Sequence, residues 1–157
     1  MKTNILILLF LSIFAFGCSS DDSKSNSGSD SGSDNEYSYL GDNFQIERAE
    51  YLVADGDLYL FFQGSGVANY IQVIFADVTE IPVGSFTYNN LRYSPSYNPQ
   101  TNFWSGAITT EINPLGYLLT DGSLSIAQSE TGYDINFNVT DSQGTAIGRY
   151  NGQIVPR

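Results

Sequence analysis

The residue types that perform most enzymatic chemistry are scarce in this sequence. Its 157 residues include no histidine and a single cysteine. Nucleophile pairs that need histidine, and zinc sites built on histidine or cysteine, are therefore excluded. Two carboxylate pairs of the kind that glycosidases use remain: Glu47 with Glu50, and Asp77 with Glu80. Each pair lies beside a strand end among turn residues, where carboxylates are ordinarily solvated. We therefore expect no catalytic residue, metal ligand or cofactor, and we do not expect an enzyme.

An aromatic segment is the strongest candidate for binding. Residues 86–104 read FTYNNLRYSPSYNPQTNFW. Tyrosine and tryptophan combine a flat apolar face with a polar tip, which suits stacking on sugar rings or contact with a protein. Two prolines interrupt regular strand pairing here. We call residues 88–104 the aromatic loop. Its predicted ligand contacts are Tyr93, Tyr97 and Trp104. The alternative is that these rings cap one end of the core.

The charge of the chain limits its partners. Lysine and arginine total 6 against 17 acidic residues, for a formal net charge of -11. Nucleic-acid binding needs a basic patch for phosphate contacts and is not expected. Peripheral binding to anionic lipid headgroups is disfavoured for the same reason. A single cysteine cannot form an internal disulfide, so stability has to come from a hydrophobic core.

The first 17 residues have the features of a secretion signal. Their apolar run, residues 5–16, is shorter than the about 20 residues that a membrane-spanning helix needs. The run ends in Ala15-Phe16-Gly17-Cys18, which resembles the lipobox of bacterial lipoproteins. That resemblance implies cleavage before Cys18 and acylation of its thiol, as in palmitate-bearing lipoproteins. Gly17 matches the small residue before the cut, while Ala15 and Phe16 follow the looser pattern found in Bacteroidota.

The residues after Cys18 predict a destination and a tether. Ser19 stands where an aspartate would signal inner-membrane retention, so an outer-membrane location is expected. The sequence Ser-Ser-Asp-Asp resembles the export signal of Bacteroidota surface lipoproteins, which implies exposure on the cell exterior. Residues 18–36 hold only serine, glycine, asparagine, charged residues and the cysteine itself. Such a segment cannot bury apolar surface, so we predict a disordered tether.

Residues 37–157 have the pattern of an all-β domain. Aromatic and β-branched residues recur between clusters of glycine, aspartate and asparagine, as in an antiparallel barrel or sandwich. The clearest strand is Tyr133–Thr140, in which apolar and polar residues alternate strictly. Asp55-Gly56 is a strong hairpin signal. About eight strands are predicted: 44–53, 58–63, 70–76, 85–88, 103–110, 123–129, 133–140 and 145–155.

Two phrases carry a resemblance to a group of proteins. Residues 147–152, IGRYNG, and residues 81–88, IPVGSFTY, resemble patterns in small Bacteroidota lipoproteins, some of which have calycin-like, lipocalin-type barrels. The resemblance implies a fold and supplies no active site. Two function classes stay open. The first is a membrane-tethered, cell-surface module that binds a glycan, a peptide or a small apolar ligand. The second is a structural or assembly accessory that docks on another envelope protein.

Overall fold

The computed structural model describes residues 35–66 and 68–157, and within them it contains twelve strands and no helix. The chain is therefore all-β, as the sequence predicts. The strands are β1 Glu36–Tyr39, β2 Asp42–Ala54, β3 Asp57–Gly64, β4 Tyr70–Phe75, β5 Gly84–Tyr88, β6 Asn102–Phe103, β7 Ser105–Thr109, β8 Tyr117–Leu118, β9 Asp121–Ser129, β10 Gly132–Thr140, β11 Thr145–Gly152 and β12 Ile154–Pro156.

Eight of these twelve strands have five residues or more, and they correspond to the eight predicted from the sequence. The four short strands are β1, β6, β8 and β12. Each has four residues or fewer, which is too short for a sequence period to identify it with certainty from its own residues. Two predicted strands consequently divide. Residues 103–110 are shared between β6 and β7, and residues 145–155 between β11 and β12.

All twelve strands belong to one curled sheet. Its order is β6-β5-β9-β10-β11-β1-β2-β3-β4-β7-β8, and β12 pairs with β2 outside this path. Neighbouring strands are antiparallel, except that β5 runs parallel to β6 and β12 parallel to β2. The consecutive strands β9, β10 and β11 form the predicted meander.

The two ends of the sheet meet at one continuous piece of chain. β6 pairs with β5, and β7, which begins only two residues after β6 ends, pairs with β4. Between them the Trp104 backbone N–H donates to the Ile74 carbonyl at 2.9 Å. The sheet therefore curls back on itself at residues 102–109, and we call this segment the seam. The aromatic loop leads directly into it.

The alternation predicted for β10 is confirmed. Ile135, Phe137 and Val139 are buried, while Asn136 and Asn138 are exposed. The same core contains rings from many strands, among them Tyr37, Phe62, Phe75, Phe86 and Phe103. The interior of the curled sheet is thus packed with side chains. The core explains how a chain without a disulfide is stabilised.

The hairpin predicted at Asp55-Gly56 is also confirmed. Both residues have positive φ, 54° and 83°, which is the combination that a tight two-residue hairpin turn requires. A second turn of the same kind, Leu40-Gly41, joins β1 to β2 with φ of 53° and 91°. These two turns lie at opposite ends of β2, which is 13 residues long.

Candidate functional site

The aromatic loop is held in shape by its own asparagine side chains. The Asn89 side chain accepts from the Leu91 backbone N–H at 3.1 Å and donates to the Ser96 carbonyl at 3.0 Å. The Asn102 side chain accepts from the Asn98 backbone N–H at 2.9 Å. Side-chain bonds of this kind favour turns over strands, which explains why the loop does not continue β5.

Arg92 ties the aromatic loop to the end of the barrel. Its guanidinium donates two bonds to the Asp57 carboxylate, at 2.5 and 2.6 Å, and a third to Asp77 at 3.2 Å. Asp57 is the first residue of β3 and its side chain is almost entirely buried. The hydrogen bonds to Asp57 are the main cause that raises the pKa of Arg92 above its usual value. A bidentate arginine–carboxylate pair also fixes the orientation of the guanidinium. It therefore sets the direction in which the aromatic loop projects.

The Asp57 carboxylate joins three parts of the chain. Besides Arg92 it accepts a bond from the Asp77 backbone N–H at 3.1 Å. Asp77 follows β4 and has a φ of 59°, the left-handed region in which aspartate is tolerated better than most residues. Asp57 therefore connects β3, the segment after β4 and the aromatic loop.

Arg92 lies close to two aromatic rings. Its guanidinium carbon is 5.6 Å from the centre of the Tyr93 ring and 5.4 Å from that of Trp104. Both distances are within the range of a cation–π contact. Because Arg92 is fixed by Asp57, both rings lie next to a cation whose position is set by the core.

Tyr93 and Trp104 line one open groove of about 360 Å³. Its remaining lining residues are Asn90, Leu91, Arg92 and Ser94. Tyr93 is 93% exposed, so its ring contributes almost nothing to the core. Trp104 is half-buried, and its indole Nε1 is buried with no hydrogen-bond partner among the described residues. The groove thus combines two aromatic faces with an amide, a hydroxyl and a cation.

Tyr97 lies outside the lining of this groove. It is half-buried, and its hydroxyl accepts from the Ala76 backbone N–H at 3.1 Å and donates to the Asn102 carbonyl at 3.3 Å. Burial raises the pKa of Tyr97, and the hydrogen bond from Ala76 partly offsets this effect. Of the three predicted contacts, the structure brings Tyr93 and Trp104 together and gives Tyr97 the bonds of a loop anchor.

Sequence reasoning missed Arg92 and the role of Asp57. A signal for Arg92 was present, because it is a basic residue in an acidic chain and stands next to Tyr93. No signal indicated its partner, since Asp57 lies 35 residues upstream. Asp57 follows a hairpin turn in the sequence, where an aspartate is normally solvated.

The remaining predicted groups lie elsewhere. Glu50 pairs with Arg48 at 2.9 Å and Asp77 with Arg92, so one member of each carboxylate pair bonds an arginine. Cys18, the predicted lipidation site, lies outside the described residues, as do the signal and nearly all of the tether. In the part of the chain that the structure describes, no helix is long and apolar enough to cross a membrane.

No protein-family model, curated protein or solved structure matches this chain. The chemistry of the site therefore has to be inferred from its own side chains.

Proposed function

We propose that this protein is a lipoprotein, anchored in the outer membrane through Cys18 and facing the cell exterior, whose aromatic loop binds a glycan. One observation carries the binding part of the proposal. Tyr93 and Trp104 line a single groove together with Arg92, whose guanidinium carbon lies 5.6 and 5.4 Å from the two ring centres, and the Tyr93 ring is 93% exposed. An exposed aromatic ring next to hydrogen-bonding side chains is suited to a ligand with both apolar faces and hydroxyl groups.

The shape of the molecule favours a glycan over a small apolar ligand. An apolar ligand is best bound in an enclosed cavity. Here the centre of the curled sheet is filled by rings, such as Phe62 stacked on Phe137 at 4.8 Å and Phe75 against Phe86 at 5.0 Å. The groove at the aromatic loop is instead open to solvent. A sugar ring can lie on Tyr93 there while its hydroxyls bond Asn90 or Ser94.

The loop is also preorganised for binding. Arg92 and the asparagine bonds fix its backbone, so little conformational entropy remains to be lost when a ligand binds. A peptide is the competing ligand for the same groove, because aromatic anchors also serve protein interfaces. A glycan is favoured because the groove is small and shallow and offers no pocket for a side-chain anchor.

A glycan array probed with the mature Cys18→Ala chain tests this function. This variant lacks the acyl anchor and is therefore soluble. We expect binding to a subset of neutral glycans, and we expect Tyr93→Ala to abolish it without lowering the melting temperature. Tyr117→Ala is the matched control, because Tyr117 is also an exposed tyrosine but lies on β8, away from the groove. Binding that survives both Tyr93→Ala and Trp104→Ala would reject the proposal, and so would binding to peptides alone.

The alternative function, docking on another envelope protein, predicts a flat apolar patch at a sheet edge. The exposed apolar residues near the β8 edge form a protruding tip instead.

A further inference from the structure

Five large apolar side chains are exposed around two turns, and we call them the apolar tip. They are Leu40, Ile112, Leu115, Tyr117 and Leu118. Ile112 and Leu115 are 97% and 94% exposed, so they contribute almost nothing to the core. Single exposed apolar residues are common on protein surfaces, but a group of this kind marks an interaction surface.

Two turns bring the apolar tip together. Leu40 belongs to the turn between β1 and β2, and the other four residues to the β7–β8 turn and to β8 itself. Leu40 and Ile112 line the same groove of about 200 Å³. Asn69 lines it too, and its side chain accepts from the Glu111 backbone N–H at 3.1 Å, which fixes the start of the β7–β8 turn.

The β7–β8 turn holds its apolar side chains away from the core. The Asn113 backbone N–H donates to the Thr110 carbonyl at 3.0 Å, and the Gly116 N–H donates to the Asn113 carbonyl at 3.0 Å. Gly116 has a φ of 73°, which glycine adopts without strain. The exposure of Ile112 and Leu115 is therefore a consequence of a hydrogen-bonded turn.

The apolar tip lies at the opposite end of the barrel from the aromatic loop. β2 runs from the Leu40-Gly41 turn to the Asp55-Gly56 turn, beside which Asp57 binds Arg92. β7 likewise begins next to Trp104 and ends next to the turn that carries Ile112. Both strands thus separate the two turns of the apolar tip from the aromatic loop, while β8 runs back beside β7 at Ala107 and Ile108.

We infer that the apolar tip inserts into the surface of the lipid bilayer to which Cys18 is anchored. This inference rests on the lipidation of Cys18 in the proposed function. Fully extended, the chain from Cys18 to Asn35 spans at most about 60 Å. The bilayer is therefore always within reach, and the tether raises its effective concentration. Docking in this orientation directs the aromatic loop away from the membrane, toward ligands outside the cell.

The size and form of the apolar tip favour a bilayer over a protein. A stable protein interface uses about 20–30 residues on each side and needs complementary shape. The tip has only five exposed residues, on two turns and the short strand β8, and a fluid bilayer requires no matching surface. Association of two copies through this tip would also place the same acidic residues, Asp42 and Glu111, against each other.

The charge around the apolar tip specifies the kind of lipid. Asp42 and Glu111 line its groove, and neither turn contains a lysine or arginine. Insertion should therefore be driven by apolar contact and opposed by anionic headgroups. Insertion should therefore be strongest into a surface of low net charge, for which phosphatidylcholine vesicles are a suitable test membrane.

Quenching by brominated phosphatidylcholine tests this inference in the lipidated full chain, reconstituted in vesicles of that lipid. The reporter is Leu115→Trp in a Trp104→Phe background, which leaves one tryptophan at the apolar tip. We expect its emission to shift to the blue and to be strongly quenched. Val53→Trp in the same background is the matched control, since Val53 is exposed on β2 beside the Asp55-Gly56 turn, at the far end of β2 from Leu40, and should stay in water.

The outcomes separate the inference from the proposed function. Quenching of Leu115→Trp that exceeds that of Val53→Trp, and that declines when anionic phosphatidylglycerol is added, supports insertion. Equal quenching of the two reporters in a chain shown to be acylated overturns it and leaves the lipid anchor intact. Failure of acylation itself rejects the anchor.

Discussion

Asp57 is the residue on which the position of the aromatic loop depends. Its nearly buried carboxylate accepts bonds from Arg92 and from the Asp77 backbone N–H. A buried carboxylate left without such donors would cost several kcal/mol. The loop is therefore fixed by a polar contact outside its own sequence. For this reason the residue types of the loop suggested its rings as ligand contacts, while the arginine that lies near both rings was not identified.

Two buried tyrosines differ in whether their hydroxyl is bonded, and this predicts opposite effects of removing it. The Tyr37 hydroxyl is buried with no hydrogen-bond partner among the described residues, whereas that of Tyr39 donates to Asp141 at 2.7 Å. We expect Tyr37→Phe to leave the free energy of unfolding at pH 7 unchanged or higher. Tyr39→Phe should lower it by about 1–2 kcal/mol, because it removes a buried hydrogen bond.

The buried Tyr37 hydroxyl also predicts how the free energy of unfolding changes in alkali. Burial raises the pKa of Tyr37 to about 12, from its ordinary value of 10.0. Between these values the unfolded chain loses the proton and the folded chain keeps it, so unfolding becomes easier as the pH rises. The slope for one such tyrosine is about 1.4 kcal/mol per pH unit. Urea titrations from pH 9 to 12 should show a shallower decline for Tyr37→Phe than for the parent; identical declines would contradict this assignment.

At the scale of elements, β10 is the strand that the sequence specifies most completely. Phe137 projects from it into the core, where its ring stacks on Phe62 with centroids 4.8 Å apart. We expect Phe137→Ala to cost about 3–5 kcal/mol, the usual loss for a buried phenylalanine. Asn138→Ala on the exposed face of β10 should change stability by less than about 0.5 kcal/mol. Urea unfolding at pH 7 measures both, and equal losses would mean that the strand faces had been confused.

Strands could be predicted where their own residues reveal which face is buried. The eight longer strands satisfy this condition because burial alternates along them or because they are bounded by turn residues. β6 and β12 do not, since two or three residues cannot display a period. Their existence follows from distant partners, namely β5 for one and β2 for the other. The sequence therefore predicted the seam as a single strand. That its two parts pair with different strands, β5 and β4, could not be predicted.

At the scale of the molecule, the chain is acidic, with 17 acidic residues against 6 basic ones, and several of the basic residues are already paired. Arg48, Arg92 and Arg157 each lie next to a carboxylate, so much of the positive charge is already neutralised. The field around the described part of the chain is consequently negative. This argues for a neutral ligand at the aromatic loop and for a neutral membrane surface at the apolar tip.

The attachment of the whole molecule is predicted to depend on one thiol. We expect Cys18→Ala to abolish labelling by a radioactive or clickable fatty acid and to shift the protein from the membrane fraction to the soluble fraction, because one docked surface holds far less strongly than two or three acyl chains. Ser19→Ala is the control and should retain the label.

The same variant should not alter folding. All buried core residues of the described chain lie between Tyr37 and Ile154, well beyond Cys18. The melting temperature of the Cys18→Ala protein should therefore equal that of a chain that begins at Ser31. A lower melting temperature for the shorter chain would show that residues 18–30 pack against the domain, and continued acyl labelling of Cys18→Ala would show that the lipid is attached elsewhere.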